Sequence, residues 1–209
     1  QDKGTNQMKS ILLTSIPKYD LVAPPAAIGV LQGVAQDNNL NTEVFDFNLF
    51  LHKSLSDQEW QELDNWCVFI THTISKKLED KIIELWDSEI AKRLPPGCEH
   101  LLMSVFSYWS LYIARLLIVH ENTKVRPYKL MVGGNGVVSK FPDTGQYFTD
   151  WNKENNFIEN LIVGDGEKPL AEMFNEGKVK YDNDTLDSFP FPSYEGYNLD
   201  DYQEKKVYI

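Results

Sequence analysis

Apolar and polar positions along this chain switch repeatedly between two spacings. Residues 9–16 (KSILLTSI) are a short apolar run after a polar leader, the pattern of a strand buried on both faces. Pro17 ends the run, and Pro24 and Pro25 fall in the loop that follows. Residues 26–37 (AAIGVLQGVAQD) place Ile28, Leu31, Val34 and Ala35 at helical spacing, with Pro25 suited to the first turn and Asn38-Asn39 closing the segment. Residues 42–47 (TEVFDF) alternate and predict a second strand. A strand–helix–strand unit of about 40 residues is the signature of a parallel sheet.

Residues 50–97 depart from this alternation. Residues 57–63 look like a helix start, and 76–94 set Leu78, Ile82, Leu85, Trp86, Ile90 and Leu94 on one stripe before Pro95-Pro96-Gly97 stops it. Between them the run from Cys67 to Ile70 suits a strand or a helix equally. The alternation then resumes: strand 100–106, helix 108–122, strand 128–132, helix 145–155, strand 160–163 and helix 169–175. This order predicts an α/β, doubly wound, Rossmann-like (flavodoxin-like) parallel sheet of about five strands, ordered 2-1-3-4-5, with helices on both faces. The domain is expected over residues 8–177 with a helical insertion at about 50–97. Residues 178–209, polar and aromatic with Pro190 and Pro192, read as an extended linker.

Composition narrows the class. The chain has 209 residues, enough for one sizeable domain, and its 42% hydrophobic content allows a real core. A net charge of −11 repels phosphate backbones and anionic lipid, which argues against nucleic acid and membrane as partners. No apolar run approaches the roughly 18–20 residues needed to span a bilayer. The polar leader lacks a secretion-signal core, so a cytoplasmic protein is expected. Cys67 and Cys98 have no ligand-spaced partner and read as two free, semi-buried thiols.

In an open α/β sheet, ligands lie beyond the carboxyl ends of the strands, where strand order reverses. Four loops qualify: 14–25, 107–109, 133–139 and 164–167. Each also has a plain structural reading. Gly133-Gly134-Asn135-Gly136 is not GxGxxG, lacks a P-loop lysine, and alone is an ordinary turn. Gly164-Asp165-Gly166-Glu167 is a tight strand-to-helix turn with Glu167 placed to favour the helix dipole. Ser107-Tyr108-Trp109 suits a helix cap with aromatic packing. His52, His72, His100 and His120 are scattered, and no pair of carboxylates or nucleophile–base set stands out as catalytic.

Taken in order, however, ILLTSIP, APPAAIGVLQGVAQ, TEVFDFNLF, LLMSVFSYWS, LMVGGNGVVS, NLIVGDGEKPLAEMF and DSFPFPSYEGYNLDDY resemble the N-terminal cobalamin-binding domain of cobalamin-dependent radical S-adenosylmethionine enzymes. The resemblance runs over roughly residues 8–209 apart from the insertion. It implies that Ser15, Pro17, Pro24 and Pro25, with Ser107 and Tyr108, face the corrin ring. Gly133, Gly134 and Asn135, with Gly164, Asp165, Gly166 and Glu167, would line the path of the nucleotide tail. The family's DxHxxG motif is absent, since Ser15-Ile16-Pro17-Lys18-Tyr19-Asp20 contains no histidine. Cobalamin would therefore sit without a histidine lower ligand. The CxxxCxxC of the radical cluster is also absent. S-adenosylmethionine and the iron–sulfur cluster, and any methyl transfer or related radical chemistry, would belong to a C-terminal radical domain in the same or another chain. Two other readings stay open: a degenerate module that presents substrate or a partner surface without cobalamin, and an independent enzyme with a nucleotide or other small ligand at the same edge.

Overall fold

The computed structural model describes residues 9–67, 74–174, 181 and 188–203. The elements run β1 (Ser10–Ile16), α1 (Ala26–Asp37), β2 (Asn41–Asp46), α2 (Phe47–Ser54), α3 (Asp57–Cys67), α4 (Lys76–Arg93), β3 (Cys98–Val105), α5 (Leu111–Glu121), β4 (Lys129–Gly133), α6 (Phe148–Asn155), β5 (Asn160–Leu161) and α7 (Glu167–Phe174). Every strand pairing is parallel, and the sheet order is β2-β1-β3-β4-β5. All seven residues of β1 are buried, as expected of a central strand covered on both faces.

The element ends follow local chemistry. Asp46 stops β2 and caps α2, accepting from the Leu49 amide at 3.0 Å, so Phe47 opens a helix rather than ending a strand. Gly145, expected at a helix start, instead has φ +69° in a turn closed by its amide on the Phe141 carbonyl, and α6 begins at Phe148. The helix expected over 108–122 divides into a 3-10 turn, Tyr108–Ser110, and α5. Cys67 ends α3, and residues 68–70 lie outside the described residues.

Two apolar clusters sandwich the sheet. One joins the Leu12, Leu101 and Leu130 face to α5, α6 and the helices of residues 50–97, through Leu51, Leu63, Leu78, Ile82 and Trp86. The insertion is thus a full layer of the core. The other joins Ile11, Leu13 and Leu102 to α1 and α7. Among the described residues, no helix is long and apolar enough to cross a membrane. Both cysteines are buried free thiols, and burial raises their pKa values.

Residues 188–203 are largely without strand or helix and lie against α1. The Ser193 amide donates to the Gly29 carbonyl at 2.8 Å, and Gln32 Nε2 donates to the Glu195 carbonyl at 2.9 Å. A side chain at position 33 would put its Cβ 2.3 Å from the Phe191 carbonyl oxygen, so glycine there permits backbone-to-helix contact.

One buried carboxylate ties the insertion to α5. Glu121 is fully buried and accepts from Trp86 Nε1 at 2.7 Å and Tyr128 Oη at 2.8 Å, with Lys124 Nζ at 2.8 Å. Lys124 also contacts Asp87, whose carboxylate meets His120 Nε2 at 2.9 Å. Removing one partner of a buried network leaves the others unpaired. Glu121→Ala is expected to lower unfolding free energy by about 3 kcal/mol, and Glu121→Gln by about 1 kcal/mol, in urea titrations at neutral pH.

Candidate functional site

Because all five strands are parallel, their carboxyl ends and following loops meet at one edge. Strand order reverses between β1 and β3, which leaves a crevice between the loops on either side. A cavity of about 300 Å³ lies over this point, between the 19–27 segment and the end of β3, with Ser15 and Ser104 at the strand ends and Val22, Pro24, Pro25 and Phe106 around it. A second cavity of about 200 Å³ continues over β3, β4 and β5, walled by Leu31, Leu102 and Ile162 and by the two glycine loops. The two share Ala27, Ser104 and Phe106. Phe106, 60% exposed, therefore stands at their junction with most of its ring open to a ligand.

The structure sorts the candidate residues. Ser15, Pro24 and Pro25 line the larger cavity. Gly133, Gly134, Asn135, Gly164, Asp165, Gly166 and Glu167 line the smaller one. Pro17, Ser107 and Tyr108 line neither. Pro17 is buried at the end of β1. Ser107 caps the 3-10 turn, accepting from the Trp109 amide at 3.3 Å, and Tyr108 packs edge-on against Trp109 with ring centroids 5.4 Å apart. Sequence reasoning missed Ala27, Ser104 and Phe106. Ser104 pairs in register with Ser15 on one side and Gly133 on the other, a relation that only strand register exposes. Phe106 ends the apolar run that predicts the third strand, whereas β3 ends at Val105 and frees it for the edge.

Hydrogen bonds fix the floor of the larger cavity. Tyr19 Oη donates to Asp46 Oδ1 at 2.5 Å and lies 2.8 Å from Ser15 Oγ, which also reaches Asp46 at 3.2 Å. Burial, with the adjacent Asp46 charge, raises the Tyr19 pKa well above its ordinary value, so the hydroxyl stays a donor. Asn48, fully buried, donates to the Tyr19 carbonyl at 2.9 Å. Farther along the loop, Lys18 pairs with Asp64 at 2.5 Å and lies 3.9 Å over the Trp60 ring, which anchors it to α3.

The described histidines line neither cavity. His100 sits near the amino end of β3 against the Phe174 ring, and burial lowers its pKa. His120 meets Asp87 near the end of α5, and His52 meets Trp60 edge-on. His72 is outside the described residues.

The two glycine loops are built differently. Gly134 has φ +101° and ψ 171°, and a Cβ there would come 2.6 Å from the Val105 carbonyl oxygen. Neither the backbone angles nor the clash admits asparagine, and a bulky residue at this position tests folding before it tests a ligand. Gly164, at φ +96°, has open space where its Cβ would stand.

Comparison with solved structures finds two chains to which this one is similar. A radical S-adenosylmethionine methyltransferase, TsrM, from Kitasatospora setae, solved with tryptophan substrate and a SAM analog (aza-SAM), superposes with TM-score 0.48 and 18% identity over 81% of this chain. A cobalamin-dependent S-adenosylmethionine radical enzyme, OxsB, solved with aqua-cobalamin bound, superposes with TM-score 0.49 and 13% identity over 90% of this chain. The match spans 26% of the first and 24% of the second, about a quarter of each. No family model and no curated protein matches the sequence.

The contrast between the glycines is measurable. Gly134→Ala is expected to cost about 3 kcal/mol or more, combining backbone strain with the carbonyl clash, while Gly164→Ala costs about 1 kcal/mol from strain alone. Denaturant unfolding of the two variants checks the order.

Proposed function

We propose that this chain binds a corrinoid of the cobalamin type across the carboxyl edge of its sheet. The observation that carries the reading is the pair of joined cavities at the strand-order reversal. The order of the sequence motifs supports it independently. A flat macrocycle suits the larger cavity, where Val22, Ala23, Pro24, Pro25 and Phe106 supply apolar surface with few flexible side chains. A narrow appended chain suits the smaller one. There glycine thins the walls: a Cβ at Gly133 would press on Ile162 at 3.3 Å, and one at Gly166 on Leu31 at 3.2 Å. A ligand larger than either cavity would lie across both, leaving its outer side open.

In this reading the chain's residues hold and orient the ligand. The Tyr19–Asp46–Ser15 bonds fix the floor, the apolar loop 22–25 keeps water from one face, and no imidazole among the lining residues reaches for a metal. When bound, cobalamin supplies a cobalt centre able to carry an alkyl group. Transfer of that group would be the work of a C-terminal radical S-adenosylmethionine domain, in the same chain or another.

Hydroxocobalamin mixed with the purified protein and then desalted tests the reading. Corrin absorbance should elute with the protein. Ala27→Trp fills the junction of the cavities from an exposed position on the first turn of α1, so it should abolish retention with the thermal midpoint unchanged. Replacing His52, His72, His100 and His120 singly by Ala should leave the bound spectrum as it is. A wild-type protein that elutes free of corrin overturns the proposal.

A further inference from the structure

Asp46 is held in an unusual way. Its side chain is buried, the residue being 8% exposed, and no cation pairs with it among the described residues. Its charge is met by donors from three directions. Oδ1 accepts from Tyr19 Oη, Ser15 Oγ and the Leu49 amide. Oδ2 accepts from Tyr202 Oη at 2.6 Å. Tyr19 belongs to the wall of the larger cavity, and its ring packs at 6.0 Å from Phe106, the residue at the cavity junction. Tyr202 belongs to the C-terminal strap of residues 188–203, and is itself 4% exposed. The next residue touches the same loop directly, its Gln203 amide donating to the Leu21 carbonyl at 3.4 Å. One buried carboxylate is thus shared by a ligand-facing loop and by the strap, which are distant in sequence.

We propose that Asp46 is a positioning residue through which docking of the strap sets the shape of the corrinoid cavity. The inference rests on the reading of that cavity as a corrinoid site. A buried carboxylate must keep its donors, so neither tyrosine hydroxyl can withdraw without disturbing the other. The coupling is reciprocal: a strap drawn away from Asp46 loosens the Tyr19 loop, and a ligand that orders the loop tightens the strap. Displacement of the strap therefore reaches the cavity through a connection inside this domain. Tyr197 offers a spare donor. Its Oη is buried and has no hydrogen-bond partner among the described residues, and its ring lies 6.4 Å from that of Tyr202.

Backbone hydrogen exchange of the whole chain without ligand tests the coupling. Tyr202→Phe removes one hydroxyl and keeps the ring, and Tyr197→Phe combined with it removes the spare donor. In the double variant, exchange in residues 17–23 should rise about tenfold, the effect of one lost charge-assisted hydrogen bond. Tyr19→Phe should speed exchange in residues 188–203 in turn. Gln36→Ala cuts an exposed bond from Gln36 Nε2 to Glu195, in the middle of the strap and away from Asp46, and should leave residues 17–23 unchanged. Unchanged exchange of residues 17–23 in the double variant overturns the coupling, and so does an equal rise in Gln36→Ala. With hydroxocobalamin, the double variant should bind about tenfold more weakly than wild type. Failure of the wild type to bind sinks the corrinoid reading alone, since the exchange in residues 17–23 is read without ligand.

Discussion

Burial of β1 on both faces is the constraint from which the rest follows. A strand with all seven residues buried must have a sheet neighbour on each side and a helical layer above and below. β2 and β3 provide the neighbours, both parallel to β1. Parallel connections need long crossovers, and the crossovers are the helices that cover the faces. Every strand then ends at the same edge, and the edge opens where the crossovers diverge, between β1 and β3. The joined cavities are a result of that geometry.

Two buried carboxylates, Glu121 and Asp46, connect separate parts of the chain. Glu121 joins α4, α5 and β4 through Trp86, Lys124 and Tyr128. Asp46 joins the ends of β1 and β2 to the strap through Ser15, Tyr19 and Tyr202. Each carboxylate would be costly to bury alone, and each is stable because donors from distant segments converge on it. The first fastens the helical insertion to the sheet. The second lies at the strand-end edge, where its donors hold the loop that follows β1.

Much of the layout was legible from spacing. Residues 26–37 form a helix with the expected bounds because Pro25 starts it, its apolar stripe faces the sheet and Asn38 ends it. The strand order 2-1-3-4-5 followed from alternating apolar runs and helices. The glycine loops were legible because Gly133-Gly134 and Gly164-Asp165-Gly166 stand at strand ends, where a parallel sheet collects its ligand contacts. Boundaries set by a side-chain contact were not legible. Phe47 looks like an alternating strand residue until Asp46 is seen capping α2, and Phe106 looks like strand until β3 is seen to end at Val105.

What the sequence by itself determined is the kind of fold and the edge at which a ligand would lie, because both depend on periodicity and on glycine and proline placement, which are local. The tertiary structure decided which residues share that edge. Pro17, Ser107 and Tyr108 are close in sequence to the cavities yet line neither, while Ala27, Ser104 and Phe106 come together from α1 and the end of β3. It also decided that residues 188–203 fold back on α1. Gly29 and Gly33 lie in α1 where the strap backbone comes against the helix, and a Cβ at either would meet it. Such contacts join residues more than 150 positions apart, as in Tyr202 on Asp46, where |i−j| is 156, and no local pattern encodes a pairing at that distance.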